Sequence, residues 1–142
     1  MKIATYKKLV LAFTGAGFLF SGYLSLTKFI SQTCAFNEPC PYVFGYPACY
    51  YGFIIFAVLF IASLLFVFGK IEIEKIIKIN FIVSGIGILF AGFLTVPEIF
   101  KILIGTGGFY SLGLPTCAYG LIFYLAICNI TFDVRRYIHP KI

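Results

Sequence analysis

The chain has 142 residues, of which 61% are hydrophobic and only 11% are charged, and its formal net charge is +6. Soluble domains carry roughly a quarter charged residues, so this composition excludes an ordinary soluble domain. The sequence predicts a protein whose solvent is the lipid bilayer.

Four apolar runs are long enough to cross a hydrocarbon core of about 30 Å, which needs roughly 20 helical residues. In chain order, the predicted helices cover Leu9–Ile30, Pro47–Phe68, Ile76–Val96 and Leu114–Phe132. The first run follows two lysines, as a signal peptide would, but it exceeds the usual h-region of about 7–15 residues and has no small-residue cleavage site. We therefore expect four spanning helices in a single membrane domain, residues 1–142.

Basic residues are distributed unequally between the two sides of this predicted bundle. Nine of the eleven lysines and arginines precede helix 1, join helices 2 and 3, or follow helix 4: Lys2, Lys7, Lys8, Lys70, Lys75, Lys78, Arg135, Arg136 and Lys141. The positive-inside rule then puts both termini in the cytoplasm and the connections Ser31–Tyr46 and Lys101–Leu112 outside. The expected location is the cell membrane, where the anionic inner leaflet accounts for the positive charge without a nucleic-acid partner.

Two segments of the chain are repeated. TGAGFLFSGYL, Thr14–Leu24, matches SGIGILFAGFL, Ser84–Leu94, at six identical positions with an offset of 70. GYPACYYG, Gly45–Gly52, returns as GLPTCAYG, Gly113–Gly120, with an offset of 68. These matches predict two tandem copies of a helical hairpin.

The repeat predicts the architecture, an all-α four-helix bundle built from hairpins at about 8–69 and 76–133. Both copies begin on the same side of the membrane, so a pseudo-twofold axis along the membrane normal would relate them. Glycines seven residues apart share a helix face and allow close backbone approach. We therefore expect helices 1 and 3 to touch along four glycines: Gly15, Gly22, Gly85 and Gly92.

Each copy has a Gly-x-Pro-x-Cys sequence at a helix entrance. Proline suits the first helical position, so Pro47 and Pro115 would begin helices 2 and 4 and place Cys49 and Cys117 in the first turn. Unpaired backbone N–H groups and the helix dipole favour a thiolate there, whereas apolar lipid or protein around the sulfur would favour the neutral thiol, and the sequence does not decide between the two. The two cysteines could form a disulfide across the axis, given Cα atoms about 4.4–6.8 Å apart, or each could be a small buried hydrophobe.

A second cysteine pair, Cys34 and Cys40, lies in the first outer connection. Asn37 and Pro39 between them supply turn residues, and the outer compartment allows disulfides to persist. This short ring fits a structural disulfide and an exchangeable redox pair equally. Cys128 is three turns after Cys117 and is predicted to pack in the core.

No other catalytic constellation competes with the cysteines. The single histidine, His139, lies in the basic tail and is expected to be a solvated surface residue, and no cluster with metal-ligand spacing is found. The sequence therefore predicts no metal site.

Two helix entrances resemble those of the vitamin K epoxide reductase family. The segment FGYP at 44–47 with Gly52, and LGLP at 112–115 with GLIFYL at 120–125, are similar to its FGIP…G and LGIP…GLxFYL patterns. Like the bacterial disulfide-forming membrane oxidoreductases, that family has a four-helix core with cytoplasmic ends. An outer cysteine pair there relays electrons to a membrane-embedded pair beside a quinone.

The resemblance implies a thiol–disulfide oxidoreductase with Cys34 and Cys40 as the shuttle pair, Cys49 and Cys117 as the inner pair, and an extracytoplasmic thioredoxin-like partner. The family's inner Cys-x-x-Cys is absent, so Cys49 is assigned from the repeat rather than from the family pattern. A quinone would lie among aromatic residues of the helix entrances, such as Tyr50, Tyr51, Tyr119 and Phe123.

Two other functions fit the same pattern. The chain could be a noncatalytic multi-pass membrane subunit whose cysteines are structural. It could also be a small repeat-type transporter, although no predicted span carries an acidic residue at mid-depth.

Overall fold

A computed structural model describes residues 2–31, 42–105 and 116–140. Its elements, in chain order, are α1 Ile3–Ser31, β1 Tyr42–Val43, β2 Tyr46–Pro47, α2 Ala48–Val67, α3 Ile73–Leu103 and α4 Thr116–Ile138. All four helices are long and apolar enough to span a membrane. The predicted all-α four-helix membrane fold is confirmed.

Three helices extend well beyond the predicted boundaries. α1 begins at Ile3 and includes Lys7, and α4 continues to Ile138, because charged residues at a membrane interface extend a helix without having to enter the hydrocarbon. α3 passes through Pro97 instead of ending at Val96. Proline is tolerated in a membrane helix where neighbouring groups and local adjustment satisfy the freed carbonyl.

The strands β1 and β2 form a minimal antiparallel hairpin in front of α2, in which Tyr42 pairs with Pro47 and Val43 with Tyr46. Its two turn residues, Phe44 and Gly45, have φ angles of 52° and 82°. Two-residue hairpins of this kind need positive φ at both central positions, which suits Gly45 and strains Phe44. The FG of the FGYP segment is therefore this turn, and the helix begins after the proline.

Neighbouring helices run antiparallel in the order α1, α2, α3, α4 around the bundle, with α4 returning to α1. Tyr6 near the start of α1 contacts Phe66 near the end of α2, and Ser25 near the end of α1 bonds Cys49 at the start of α2. We call the end that contains Tyr6 and Phe66 the terminal end, and the end that contains Ser25 and Cys49 the cysteine end.

The prediction that α1 and α3 touch along four glycines is wrong. Each of these helices packs mainly on α2 and α4, so the two lie diagonally across the bundle. Gly15 and Gly22 instead face rings of α2, Phe60 and Phe53, at 3.3 and 3.2 Å from the ideal Cβ positions, and Gly85 and Gly92 have no described side chain within 4 Å. Seven-residue spacing places residues on one face, but it does not identify the helix that this face meets.

A different pair of glycines lies at the centre of the bundle. An ideal Cβ on Gly17 would come within 2.2 Å of the Phe56 ring, and one on Gly87 within 2.7 Å of the Tyr124 ring. The two rings stack on each other with centroids 4.4 Å apart and an interplanar angle of 9°. These four residues form a row across the bundle, in the order Gly17, Phe56, Tyr124, Gly87. The repeat offset of 70 relates the two glycines, and the offset of 68 relates the two rings.

Candidate functional site

Cys49 is the second residue of α2, one position earlier in the helix than predicted because Pro47 belongs to β2. Its side chain is half-buried and forms no disulfide with any described residue. Its backbone carbonyl accepts a hydrogen bond of 3.0 Å from the Ser25 hydroxyl. This bond ties the entrance of α2 to the last part of α1.

The other predicted site residues are located less completely. Cys117 is the second residue of α4, so it occupies the same helical position as Cys49. Its side chain lies outside the described part of the structure, as do Cys34 and Cys40. Ser31 and Tyr42, which flank the segment with Cys34 and Cys40, belong to elements at the cysteine end. The predicted pairings therefore stay predictions.

α2 and α4 lie diagonally across the bundle and meet through side chains below these cysteines. Phe56 of α2 stacks on Tyr124 of α4, and the Tyr124 hydroxyl donates to the Gly52 carbonyl at 3.4 Å. Cys49 precedes Phe56 by seven residues, and Cys117 precedes Tyr124 by seven, which is close to two helical turns. Each cysteine thus occupies the helix face that, two turns further on, meets the other helix.

Three of the four aromatic residues predicted to surround a quinone have ring contacts, and these divide between two interfaces. Tyr51 contacts Phe90 of α3, with ring centroids 5.6 Å apart. Tyr119 and Phe123 both contact Phe20 of α1, with ring centroids 6.3 Å apart in each pair. The structure therefore brings Tyr119 and Phe123 together at the α1–α4 interface and places Tyr51 at the α2–α3 interface.

His139 is exposed beyond the end of α4, as predicted. Cys128, predicted to pack in the core, is half-buried on α4 and unbonded within the described residues. In the part of the chain that the structure describes, no group of three His, Cys, Asp or Glu side chains could hold a metal ion.

A buried polar chain near the terminal end was missed by the sequence analysis. The Asn80 amide donates to the Tyr6 hydroxyl at 2.9 Å, and Tyr6 lies 3.3 Å from the Thr131 hydroxyl. Thr131 itself donates to the Ile127 carbonyl at 2.7 Å, so the Tyr6 proton is directed to Thr131. These bonds join α1, α3 and α4.

The three side chains of this polar chain, Tyr6, Asn80 and Thr131, are fully buried, with 0% exposure. The Asn80 Oδ1 atom and the Ser63 hydroxyl are buried without a hydrogen-bond partner among the described residues. Burying such groups without a partner costs free energy, whereas the bonds of Tyr6 with Asn80 and Thr131 satisfy polar atoms across three helices. An asparagine within the predicted third span was the available sequence signal.

Comparison with family models, with curated protein sequences and with solved structures finds no significant match to this chain. Its function therefore has to be argued from the residues themselves.

Proposed function

We propose that the protein is a membrane thiol–disulfide oxidoreductase that uses Cys34, Cys40, Cys49 and Cys117. The observation that supports this most directly is the equivalent placement of two cysteines. Cys49 and Cys117 are each the second residue of a helix, and the faces they occupy converge two turns further on in the Phe56–Tyr124 stack. A cysteine in a first helical turn is exposed to backbone N–H groups that favour the thiolate, whereas burial favours the neutral thiol.

In the oxidising direction, a thiolate of the partner protein attacks the Cys34–Cys40 disulfide, breaks its S–S bond and forms a mixed disulfide. The second partner thiolate resolves this intermediate, so the partner leaves oxidised and Cys34 and Cys40 become thiols. The Cys34 and Cys40 thiols then reduce a Cys49–Cys117 disulfide by the same kind of exchange, which restores the Cys34–Cys40 disulfide and leaves Cys49 and Cys117 as thiols. Two electrons and two protons must then leave the inner thiols.

A membrane quinone, implied by the family resemblance, would supply this last step by accepting the two electrons and two protons. The centre of the bundle has no room for it, because the Phe56 and Tyr124 rings are in contact. It would therefore have to lie beside the helix entrances, where the half-buried Tyr119 lies against Phe20 near the cysteine end.

The orientation of the proposed enzyme follows from the basic residues. Lys7, Lys70, Lys78 and Arg135 are among the described basic residues at the terminal end, which would face the cytoplasm. The cysteine end would face the extracytoplasmic compartment, where a thioredoxin-like partner could reach Cys34 and Cys40. The membrane in question would be the cell membrane.

Thiol trapping in intact cells tests this proposal. Free thiols are alkylated with a mass tag in wild type and in the variants Cys49→Ser, Cys117→Ser, Cys34→Ser and Cys40→Ser. We expect wild-type Cys49 to change between tagged and untagged forms when quinone supply is altered, and Cys117→Ser to accumulate a mixed disulfide through Cys49. Cys128→Ser is the matched control, since Cys128 is also a half-buried helical cysteine, and it should behave as wild type.

Two outcomes would overturn the proposal. Cys49 and Cys117 could be fully alkylated under every condition, with no mixed disulfide in any variant. Alternatively, all disulfides could resist both reductant and quinone depletion, which would identify the cysteines as structural staples of a noncatalytic subunit.

A further inference from the structure

We propose that the terminal end of α3 and α4 is a binding site for an anionic phospholipid, and this proposal is independent of the redox function. The site, which we call the basic groove, consists of Lys78, Phe81, Phe132, Arg135, Arg136 and His139. The lipid phosphate would bind the arginines, and an acyl chain would follow the apolar side of α3.

The groove is formed by two adjoining cavities of about 370 and 490 Å³. Arg135 and His139 line both of them. Each cavity lies within the range of about 300–1,000 Å³ that is usual for small-molecule sites. A headgroup on Arg135 would therefore have space on either side of the guanidinium.

The charge of the groove is complementary to an anion. Lys78, Arg135 and Arg136 contribute three cations, and Glu74 is the one carboxylate among the described lining residues. The described ion pair nearby joins Lys75 to Glu72, at 3.7 Å, and uses none of these cations. Three positive charges against one negative charge leave the groove with a net positive charge.

Both guanidinium groups are held against aromatic rings. The Arg135 guanidinium lies 5.7 Å from the centroid of the Phe81 ring, and that of Arg136 lies 5.6 Å from the Phe132 ring. Stacking of this kind restricts the side chains while leaving the N–H edges free to bind phosphate. A bidentate arginine–phosphate contact is among the stronger hydrogen-bonded pairs.

The apolar part of the groove favours a lipid over a soluble phosphate. Ile82, which lines the first cavity, is 63% exposed and stands one turn before Ile86 on α3. Ile86 and Leu89 continue this exposed face towards the membrane centre. An acyl chain can follow these side chains while the phosphate stays with the arginines, as in basic lipid sites between membrane helices.

The test measures lipid binding to the purified full-length chain by native mass spectrometry, with phosphatidylglycerol as the probe and phosphatidylcholine as the zwitterionic comparison. The variant Arg135→Gln/Arg136→Gln removes both stacked cations. Its matched control is Lys7→Gln/Lys8→Gln, which removes the same charge from the same end of the bundle and includes a cation 5.3 Å from the centroid of the Phe66 ring. Circular dichroism confirms that both variants remain helical.

We expect the arginine variant to bind phosphatidylglycerol about tenfold more weakly than the lysine control does. A direct arginine–phosphate contact contributes more to the binding free energy than the general attraction of a basic surface for an anionic lipid. Arg135→Lys should retain part of the affinity, since it keeps the charge without the planar fork. Equal losses in the two double variants would overturn the proposal, as would equal binding of phosphatidylcholine. Displacement of the lipid by millimolar inorganic phosphate would assign the groove to a soluble anion instead.

Discussion

The α1–α2 hairpin and the α3–α4 hairpin fill the outer side of their helix interfaces differently. In the first hairpin, Phe18 stacks between Phe53 and Phe60 with ring centroids 5.2 and 5.1 Å away. Gly15 and Gly22 provide the space for these rings. This face of the bundle is therefore closed by three aromatic side chains.

The second hairpin has smaller side chains at the aligned positions, which are Ile88, Leu121 and Cys128. Gly85 and Gly92, aligned with Gly15 and Gly22, have no neighbour within 4 Å of an ideal Cβ in the part of the chain that the structure describes. In the first hairpin the two glycines make room for aromatic rings. In the second hairpin no described side chain occupies the equivalent space.

The central contact, in contrast, is nearly the same in both hairpins. Gly17 accommodates the Phe56 ring, and Gly87 accommodates the Tyr124 ring. Close packing at a buried centre penalises any change of volume, whereas lipid can fill gaps on an outer face. The comparison teaches that the two hairpins agree at the buried central stack and differ at the half-buried interface between their own two helices.

The largest expected effect comes from adding one methyl group at the centre. Gly17→Ala should destabilise the bundle by about 1–3 kcal/mol, because the Phe56 ring is 2% exposed and its stack on Tyr124 leaves it little freedom to move. Thermal unfolding in detergent measures this change. Gly85→Ala is the control and should leave the melting temperature unchanged or raise it, since an added Cβ meets none of the described residues within 4 Å. Equal melting temperatures for the two variants would contradict the central contact.

A second, somewhat smaller effect is expected from the polar chain, which also differs between the hairpins. Tyr6→Phe removes the acceptor of the Asn80 amide and the donor to Thr131, and should cost about 1–2 kcal/mol. Asn80→Val copies Val10, the aligned residue of the first hairpin, and should cost less because it removes an unpaired Oδ1 atom as well. The same melting experiment compares the two variants.

A double variant sharpens this second prediction. Tyr6→Phe combined with Asn80→Val should cost less than the sum of the single changes, since both remove one shared hydrogen bond. Strict additivity would show that the two side chains are not coupled.

The smallest effect is expected on the outer face, where the hairpins differ. Phe60→Cys copies the second hairpin and should cost about 0.5–1.5 kcal/mol, the usual value of a stacked aromatic pair, because lipid replaces the lost apolar contact. The reverse change, Cys128→Phe, should alter the melting temperature very little, since the aligned glycine, Gly85, leaves open space. A strongly destabilised Cys128→Phe protein would indicate that the outer faces are not equivalent in backbone geometry.

Much of the fold could be predicted from the sequence, because length and hydropathy determine whether a segment can span a bilayer. The predicted spans fall within or close to the observed helices, and Cys49 and Cys117 are indeed in first helical turns. Helix ends were less predictable, as Pro97 shows, because hydropathy reports the hydrocarbon boundary and not the end of hydrogen bonding.

The sequence by itself determined a four-helix membrane bundle, the placement of two cysteines at equivalent helix entrances, and the unequal distribution of basic residues between its ends. Only the tertiary structure decided that Gly17 rather than Gly15 lies at the centre and that Tyr6 reaches Asn80 and Thr131. The physical reason is that these helices are apolar on nearly every side, so their sequences do not mark the buried face. In such helices the buried face is selected by packing and hydrogen bonding between helices, which are properties of the assembled bundle.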